Sequence, residues 1–245
     1  IGGQYGMMGS VCLTSKAALK SGAGKVSVLS PKCGVEILQQ YVPEAMVIPS
    51  INQKQVSPLD LNFKPTHICM GMGLGQSGQA LETLKYFIDE AKSPMLIDAD
   101  GLNLLAQHKN LLEKLPPKTI LTPHQGELKR LIGDWTNDYD KLAKMKNFVK
   151  TYDVILVSKD AYTFIVSQDK IYINSTGNAG MATAGSGDTL SGIIAGLLAQ
   201  KYDPLEASIL GVFLHGKAAD TYIQKHEKYS LISSDIIDCL GVKSL

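Results

Sequence analysis

Five short apolar runs set among longer amphipathic segments constrain this chain more than any other feature. KVSVLS (Lys25 to Ser30), HICMGMG (His67 to Gly73), PMLIDAD (Pro94 to Asp100), KTILTP (Lys118 to Pro123) and VILVSK (Val154 to Lys159) read as buried strands. GSVCLTSKAALKSG, VEILQQYV, SGQALETLKYFIDEAK and DYDKLAKMKNFVKTY have helical spacing. Strands that alternate with helices predict a mainly parallel sheet sandwiched between helical layers. The pattern changes after Lys159. YTFIVS (Tyr162 to Ser167) and KIYIN (Lys170 to Asn174) flank the polar pair Gln168-Asp169 as a hairpin would, and two helical segments follow, GDTLSGIIAGLLAQ and PLEASILGVFLHGKAADTYIQKH. The polar stretch Pro49 to Pro65 reads as a surface excursion. No repeat or linker divides the chain, and 245 residues at 44% hydrophobic content bury a full core, so 1–245 reads as a single domain.

Charge then narrows the chemistry. Lys+Arg 24 against Asp+Glu 23 leaves a formal net charge of +1, so no global field favours nucleic acid or an anionic membrane, and any anion must be bound locally. Cys12, Cys33, Cys69 and Cys239 are far apart with no CxxC pair, which fits reduced thiols in a cytoplasm better than zinc or a disulfide framework. No apolar run approaches the ~20 residues of a membrane span. The chain opens at Ile1 without Met, as a piece of a longer product would.

Two glycine-rich segments sit where an open α/β sheet binds ligands, beyond the carboxyl ends of strands. Gly73-x-Gly75-x-x-Gly78, with Asp98 downstream, has the form of a dinucleotide-binding fingerprint and suggests an oxidoreductase. NAGMATAGSGDTLSG is more specific. Gly185, Ser186 and Gly187 leave backbone N–H groups free to turn toward one point, where the next helix adds unpaired donors and its positive dipole end. Asp188 stands beside that anion hole, where the dipole is expected to keep it ionised and able to take a proton from an attacking hydroxyl. The bland alternative makes Asp188 a cap and the glycines helix-packing residues.

Thr122-Pro123-His124-x-Gly126-Glu127 together with Asn178-x-Gly180-Met181-Ala182-x-x-Gly185-Ser186-Gly187-Asp188 resembles the ADP- or ATP-dependent NAD(P)H-hydrate dehydratases of the ribokinase-like superfamily, and the opening GSVCLTSKAALKSGAGKVSVLSP and the GMGLG segment follow the same family. The resemblance implies a ribokinase-like three-layer α/β/α sandwich with a mainly parallel central sheet and the hairpin toward its C-terminal end. It implies repair of hydrated NADH and NADPH, with a nucleotide's terminal phosphate driving loss of the C6 hydroxyl, Mg²⁺ as the ion, and a homo-oligomeric enzyme. Asp188 falls on the catalytic acid. Ser10, Gly73, His124 and Asp188 fall on substrate-binding positions, and Ser10 replaces a small, often Ala, residue. Lys159, Asp160, Ala161, Tyr162 and Thr163, with Gly185, Ser186 and Gly187, fall on the nucleotide side, where Asp160 replaces the usual glycine. Glu127 falls where the superfamily reaches the metal through water; a first-turn glutamate and a helix-capping His124 are the plain alternatives. His67, His108, His215 and His226 read as surface or packing residues. A small-molecule kinase of the hydroxymethylpyrimidine or hydroxyethylthiazole type is the main rival, and a lapsed nucleotide-binding regulatory module the non-enzymatic one.

Overall fold

A computed structural model describes residues 1–226 and 230–241; the predicted domain's remaining residues, 227–229 and 242–245, lie outside the described residues. Its elements run α1 (Met8–Lys20), β1 (Ser27–Ser30), α2 (Val35–Tyr41), β2 (Met46–Pro49), β3 (Cys69–Met70), α3 (Gly78–Glu90), β4 (Leu96–Ile97), α4 (Asp100–Gln107), β5 (Thr119–Leu121), α5 (Gln125–Ile132), α6 (Asp138–Tyr152), β6 (Val154–Ser158), β7 (Thr163–Val166), β8 (Ile171–Asn174), α7 (Ser186–Ala199), α8 (Pro204–His226) and α9 (Ser233–Asp238). The main sheet has the order β3-β4-β5-β6-β7-β8. β3 to β6 are parallel, and the hairpin β7–β8 extends them antiparallel. β1 and β2 form a separate parallel pair.

Strand pleat sorts the core into two layers. Ile97, Leu121 and Leu156 join one cluster with Leu84, Phe87, Leu105, Leu128 and Val149 from α3 to α6. Their neighbours Leu96, Ile120 and Ile155 join a second with Ile193, Ile194, Leu197 and Val212 from α7 and α8. The result is the expected three-layer α/β/α sandwich.

Three features depart from the sequence reading. β2, α4 and α9 were not expected. Strand pairing is shorter than the apolar runs, with only Cys69–Met70 and Leu96–Ile97 paired in the second and third. The Pro49 to Pro65 stretch is not wholly on the surface: Val56 is buried in the first cluster, and its carbonyl accepts from Thr83 Oγ1 at 3.2 Å. No described helix is long and apolar enough to cross a membrane.

α1 lies directly on α7, and glycine permits it. A Cβ on Gly192 would strike the Thr14 carbonyl and come within 2.6 Å of Ala17 Cβ, and one on Gly196 would come within 2.6 Å of Ala18 O. Backbone cannot yield as a side chain can, so Gly192→Ala is expected to destabilise by about 1–3 kcal/mol and lower Tm by several degrees. Gly78→Ala, where nothing lies within 4 Å, is the control and should melt like the parent. Equal melting of the two variants would contradict this packing.

Candidate active site

The carboxyl ends of β4, β5 and β6 and the start of α7 meet around one buried acid. Asp98, just past β4, is 1% exposed. Its Oδ1 accepts from Lys159 Nζ and from Ala99 N, both at 2.8 Å, and its Oδ2 from Ser191 Oγ at 2.7 Å. Lys159 follows β6, and its Nζ lies 3.0 Å from where a Gly187 Cβ would stand, so the ammonium sits against the first turn of α7. Ala99 has φ 49°, a conformation that favours glycine, and holding it there costs about 1–3 kcal/mol. That turn sends Asp98 toward Lys159 while Asp100 Oδ2 accepts from Gly75 N at 2.8 Å.

The two glycine-rich segments prove to be different devices. In the first, the start of α3 is already closed, because Ser77 Oγ accepts from Ala80 N at 3.3 Å and donates to Gln55 Oε1 at 3.0 Å. A Gly73 Cβ would approach Met7 O to 2.7 Å, and one on Gly71 would strike the Asp98 carbonyl. These glycines let chain segments touch, and the acid of the apparent fingerprint is committed to Lys159 and Ser191, so the dinucleotide-fingerprint reading has no open helix start or free acid here. In the second, the cap residue Gly185 has φ 82° and no side chain caps α7. Helix geometry leaves the N–H groups of Gly187 and Asp188 without intrahelical acceptors.

Asp188 lies in that first turn. Thr14 Oγ1 ties α1 to it by donating to its main-chain carbonyl at 3.0 Å. Burial, and then the Asp98 charge, push its carboxyl up to about 6, while a hydrogen bond from Ser10 and the Lys159 charge pull the other way. Burial thus works against the ionised form that the helix dipole was expected to favour, and with its pKa near 6 the group is still mostly a carboxylate at neutral pH. Ser10 Cβ lies 3.4 Å from where a Gly73 Cβ would stand, which brings Ser10, Gly73 and Asp188, three of the expected substrate positions, close together.

His124 is the cap of α5. Its Nδ1 accepts from Gly126 N at 3.0 Å and from Glu127 N at 3.3 Å, and its own N–H donates to Glu127 Oε2 at 2.9 Å. With Nδ1 accepting, Nε2 carries the proton and faces Glu127 Oε1 at 3.3 Å. Burial, Lys159 and Arg130 lower the pKa of His124, whereas burial foremost raises Glu127 to about 7. Among the described residues no group of three or more His, Cys, Asp or Glu could hold a metal directly. Both Glu127 oxygens face His124, Oε2 the backbone N–H and Oε1 the ring.

Of the segment 159–163, Lys159 is the member that reaches α7. Asp160 accepts from Ala161 N at 2.8 Å and lies 3.6 Å from Lys141 Nζ, Thr163 Oγ1 donates to Asp160 O at 3.4 Å, and Tyr162 is exposed. Asp98 and Ser191 are the residues here whose roles the sequence motifs did not show.

Comparison with known proteins agrees with this geometry. A family described as NAD(P)H-hydrate dehydratase matches residues 1–240. A bifunctional NAD(P)H-hydrate repair enzyme of Moorella thermoacetica is 34% identical over 251 residues, covering 98% of this chain and 47% of that protein. An ADP-dependent (S)-NAD(P)H-hydrate dehydratase of Neisseria meningitidis is 36% identical over 229 residues, covering 90% of this chain and 75% of that protein. The chain spans about half the length of the bifunctional relatives it matches. Among solved structures, the ADP/ATP-dependent NAD(P)H-hydrate dehydratase of Bacillus subtilis, co-crystallised with ATP/Mg²⁺ and soaked with CoA, superposes with a TM-score of 0.78 at 26% identity, over 98% of this chain and 87% of that one. An uncapped, lysine-flanked helix start beside a buried acid lies in a chain whose residues 1–240 match one family: the chain belongs to the NAD(P)H-hydrate dehydratase family.

Proposed function

We propose that this chain, as one domain over 1–245, uses ADP or ATP with Mg²⁺ to dehydrate hydrated NADH and NADPH. The observation that carries the reading is Asp188, an acid with its pKa near 6 in the open first turn of α7 with Lys159 alongside. Gly185, Ser186 and Gly187 with Lys159 receive the terminal phosphates, and Asp160 to Thr163 lie on the adenosine side. Ser10, Gly73 and His124 meet the hydrated dinucleotide. The carboxylate of Asp188 takes the proton of the C6 hydroxyl as that oxygen attacks the terminal phosphorus and the bond to the departing nucleotide breaks. The ring nitrogen's lone pair then expels phosphate from C6, and loss of a C5 proton restores the dihydronicotinamide. The ion, when bound, neutralises phosphate charge, with Glu127 reaching it through water. We further read the chain as a cytoplasmic homo-oligomer, and its near-neutral charge supports partners other than nucleic acid or an anionic membrane.

Incubating the protein with Mg²⁺, ADP or ATP and acid-generated NADH hydrate should restore dihydronicotinamide absorbance in the near ultraviolet, with kcat/KM rising as pH increases through about 6. Asp188→Asn should lower the rate by roughly 10²–10⁴-fold while leaving nucleotide affinity nearly unchanged. Nucleotide consumed on a small alcohol, with a phosphorylated product and no absorbance recovery, would move the assignment to the kinase.

The same acids should show in stability. Asp188 is raised from 3.8 to about 6 and Glu127 from 4.5 to about 7, so the native state holds more protons than the unfolded chain between those values. Their contribution is fully present below the unfolded pKa values and is lost as pH rises through the folded ones. Asp188→Asn should therefore melt a few degrees above the parent at pH above about 7, with the difference closing below about 4. A pH series of thermal melts in which the difference is constant would contradict burial as the cause.

A further inference from the structure

His215 lies on α8 and is 7% exposed. The sequence offers it only a surface or packing role, yet its Nε2 is 3.3 Å from Ser186 Oγ, in the first turn of α7. Burial, and then the Lys159 charge, hold the ring neutral with its pKa down at about 4, against a hydrogen bond with the Ser186 backbone. α8 also grips the loop leading to the glycines. A Cβ on Gly216 would strike Thr176, Thr176 Oγ1 donates to Phe213 O at 3.1 Å, and Asp220 accepts from Gly177 N and from Asn178 Nδ2, both at 2.9 Å. His215 is thus fixed relative to the hydroxyl it meets.

A serine in a first helical turn has a local alternative. Its hydroxyl can fold back and accept from N–H groups of its own turn, which here are the groups left open by Gly185. We propose that His215 is a positioning residue for nucleotide binding: by engaging the Ser186 hydroxyl it keeps that oxygen off the N–H groups of α7, so that they stay open to the terminal phosphate. The proposal rests on reading the start of α7 as the phosphate site. It adds a residue that touches neither nucleotide nor substrate, and it gives the Ser186 hydroxyl a conformational role beside the part its main chain plays in the phosphate site.

Deleting the competing hydroxyl should remove the effect of losing His215. Calorimetric titration with ADP and Mg²⁺ should show His215→Ala binding about 3–10-fold more weakly than the parent, the size of one competing hydrogen bond. In the Ser186→Ala background, loss of His215 should change ADP affinity by less than about twofold, because no hydroxyl is left to compete. His215→Gln, which keeps a polar group near Nε2, should recover most of the affinity, and KM for the hydrated dinucleotide should stay unchanged throughout. If His215→Ala fails to fold, His215→Leu fills the same space without a nitrogen and carries the same comparison. Parent-like ADP binding by the Ala or Leu variant, or a loss from His215→Ala that is equally large in the Ser186→Ala background, would overturn the role of His215 alone. A parent protein that binds neither ADP nor ATP would overturn the phosphate site and this proposal together.

Discussion

The buried pair between Asp98 and Lys159 is the interaction on which the rest of the site depends. An acid 1% exposed, stripped of its partner, leaves an uncompensated charge, and breaking such a pair costs about 3–5 kcal/mol. The lysine is therefore held where β6 ends, against the start of α7. Ser191 on α7 supplies a third donor to the same carboxylate, so the acid also fixes where the helix stands. Gly192 and Gly196, on another face of the same helix, let α1 press against it. Small residues in this segment thus have two settings in one chain: those before Asp188 leave the start of α7 uncapped, and those after it allow helix contact. The packing explanation of the glycines holds at Gly192 and Gly196, and the proposed anion site uses the others.

Much of the fold was legible because its signals are local. Apolar runs located β1 and β3 to β8, and the turn pair Gln168-Asp169 marked the hairpin. β2 escaped because Met46–Pro49 is four residues long with a half-exposed pattern, and α9 because it has only six residues. α4 was hidden by its neighbour. The run PMLIDAD looks like one strand, but Ala99 at φ 49° breaks it, and the helix starts at the next residue. The site divides in the same way. Asp188, Gly185 and Gly187 are legible since an anion hole needs small residues and an acid in sequence. Asp98 and His215 act through partners 61 and 29 residues away, and no local pattern encodes those contacts.

Local charge explains why this site would take its nucleotide with an ion. Asp98, Glu127 and Asp188 all feel Lys159, and burial raises the last two by more than that one cation lowers them. An adenine nucleotide entering there brings further negative charge into a desolvated place. On the proposed reading a divalent ion is a condition of binding as well as an aid to catalysis, since without it the phosphates would raise the acids further and disable the proton acceptor. The capping box of His124 and Glu127 suits that arrangement. With its oxygens shared with the α5 start, Glu127 can accept from an ion's water shell without replacing it.

Asp160, which stands where the resembling family usually has glycine, is the clearest departure in the sequence. Glycine would be required if the backbone there needed positive φ, yet Asp160 is not among the residues in that region. What changes is the side chain, and it is directed to α6, where Lys141 lies 3.6 Å away. Lys141 is itself nearly buried, with its Nζ 5.4 Å from the Trp135 ring centroid and 5.7 Å from that of Phe164. A lysine so enclosed gains from a carboxylate, and a carboxylate so paired presents less charge to an incoming polyanion. The substitution and Lys141 form one unit, in which the acid completes the environment of a buried cation and leaves the backbone path between β6 and β7 free to follow an ordinary course.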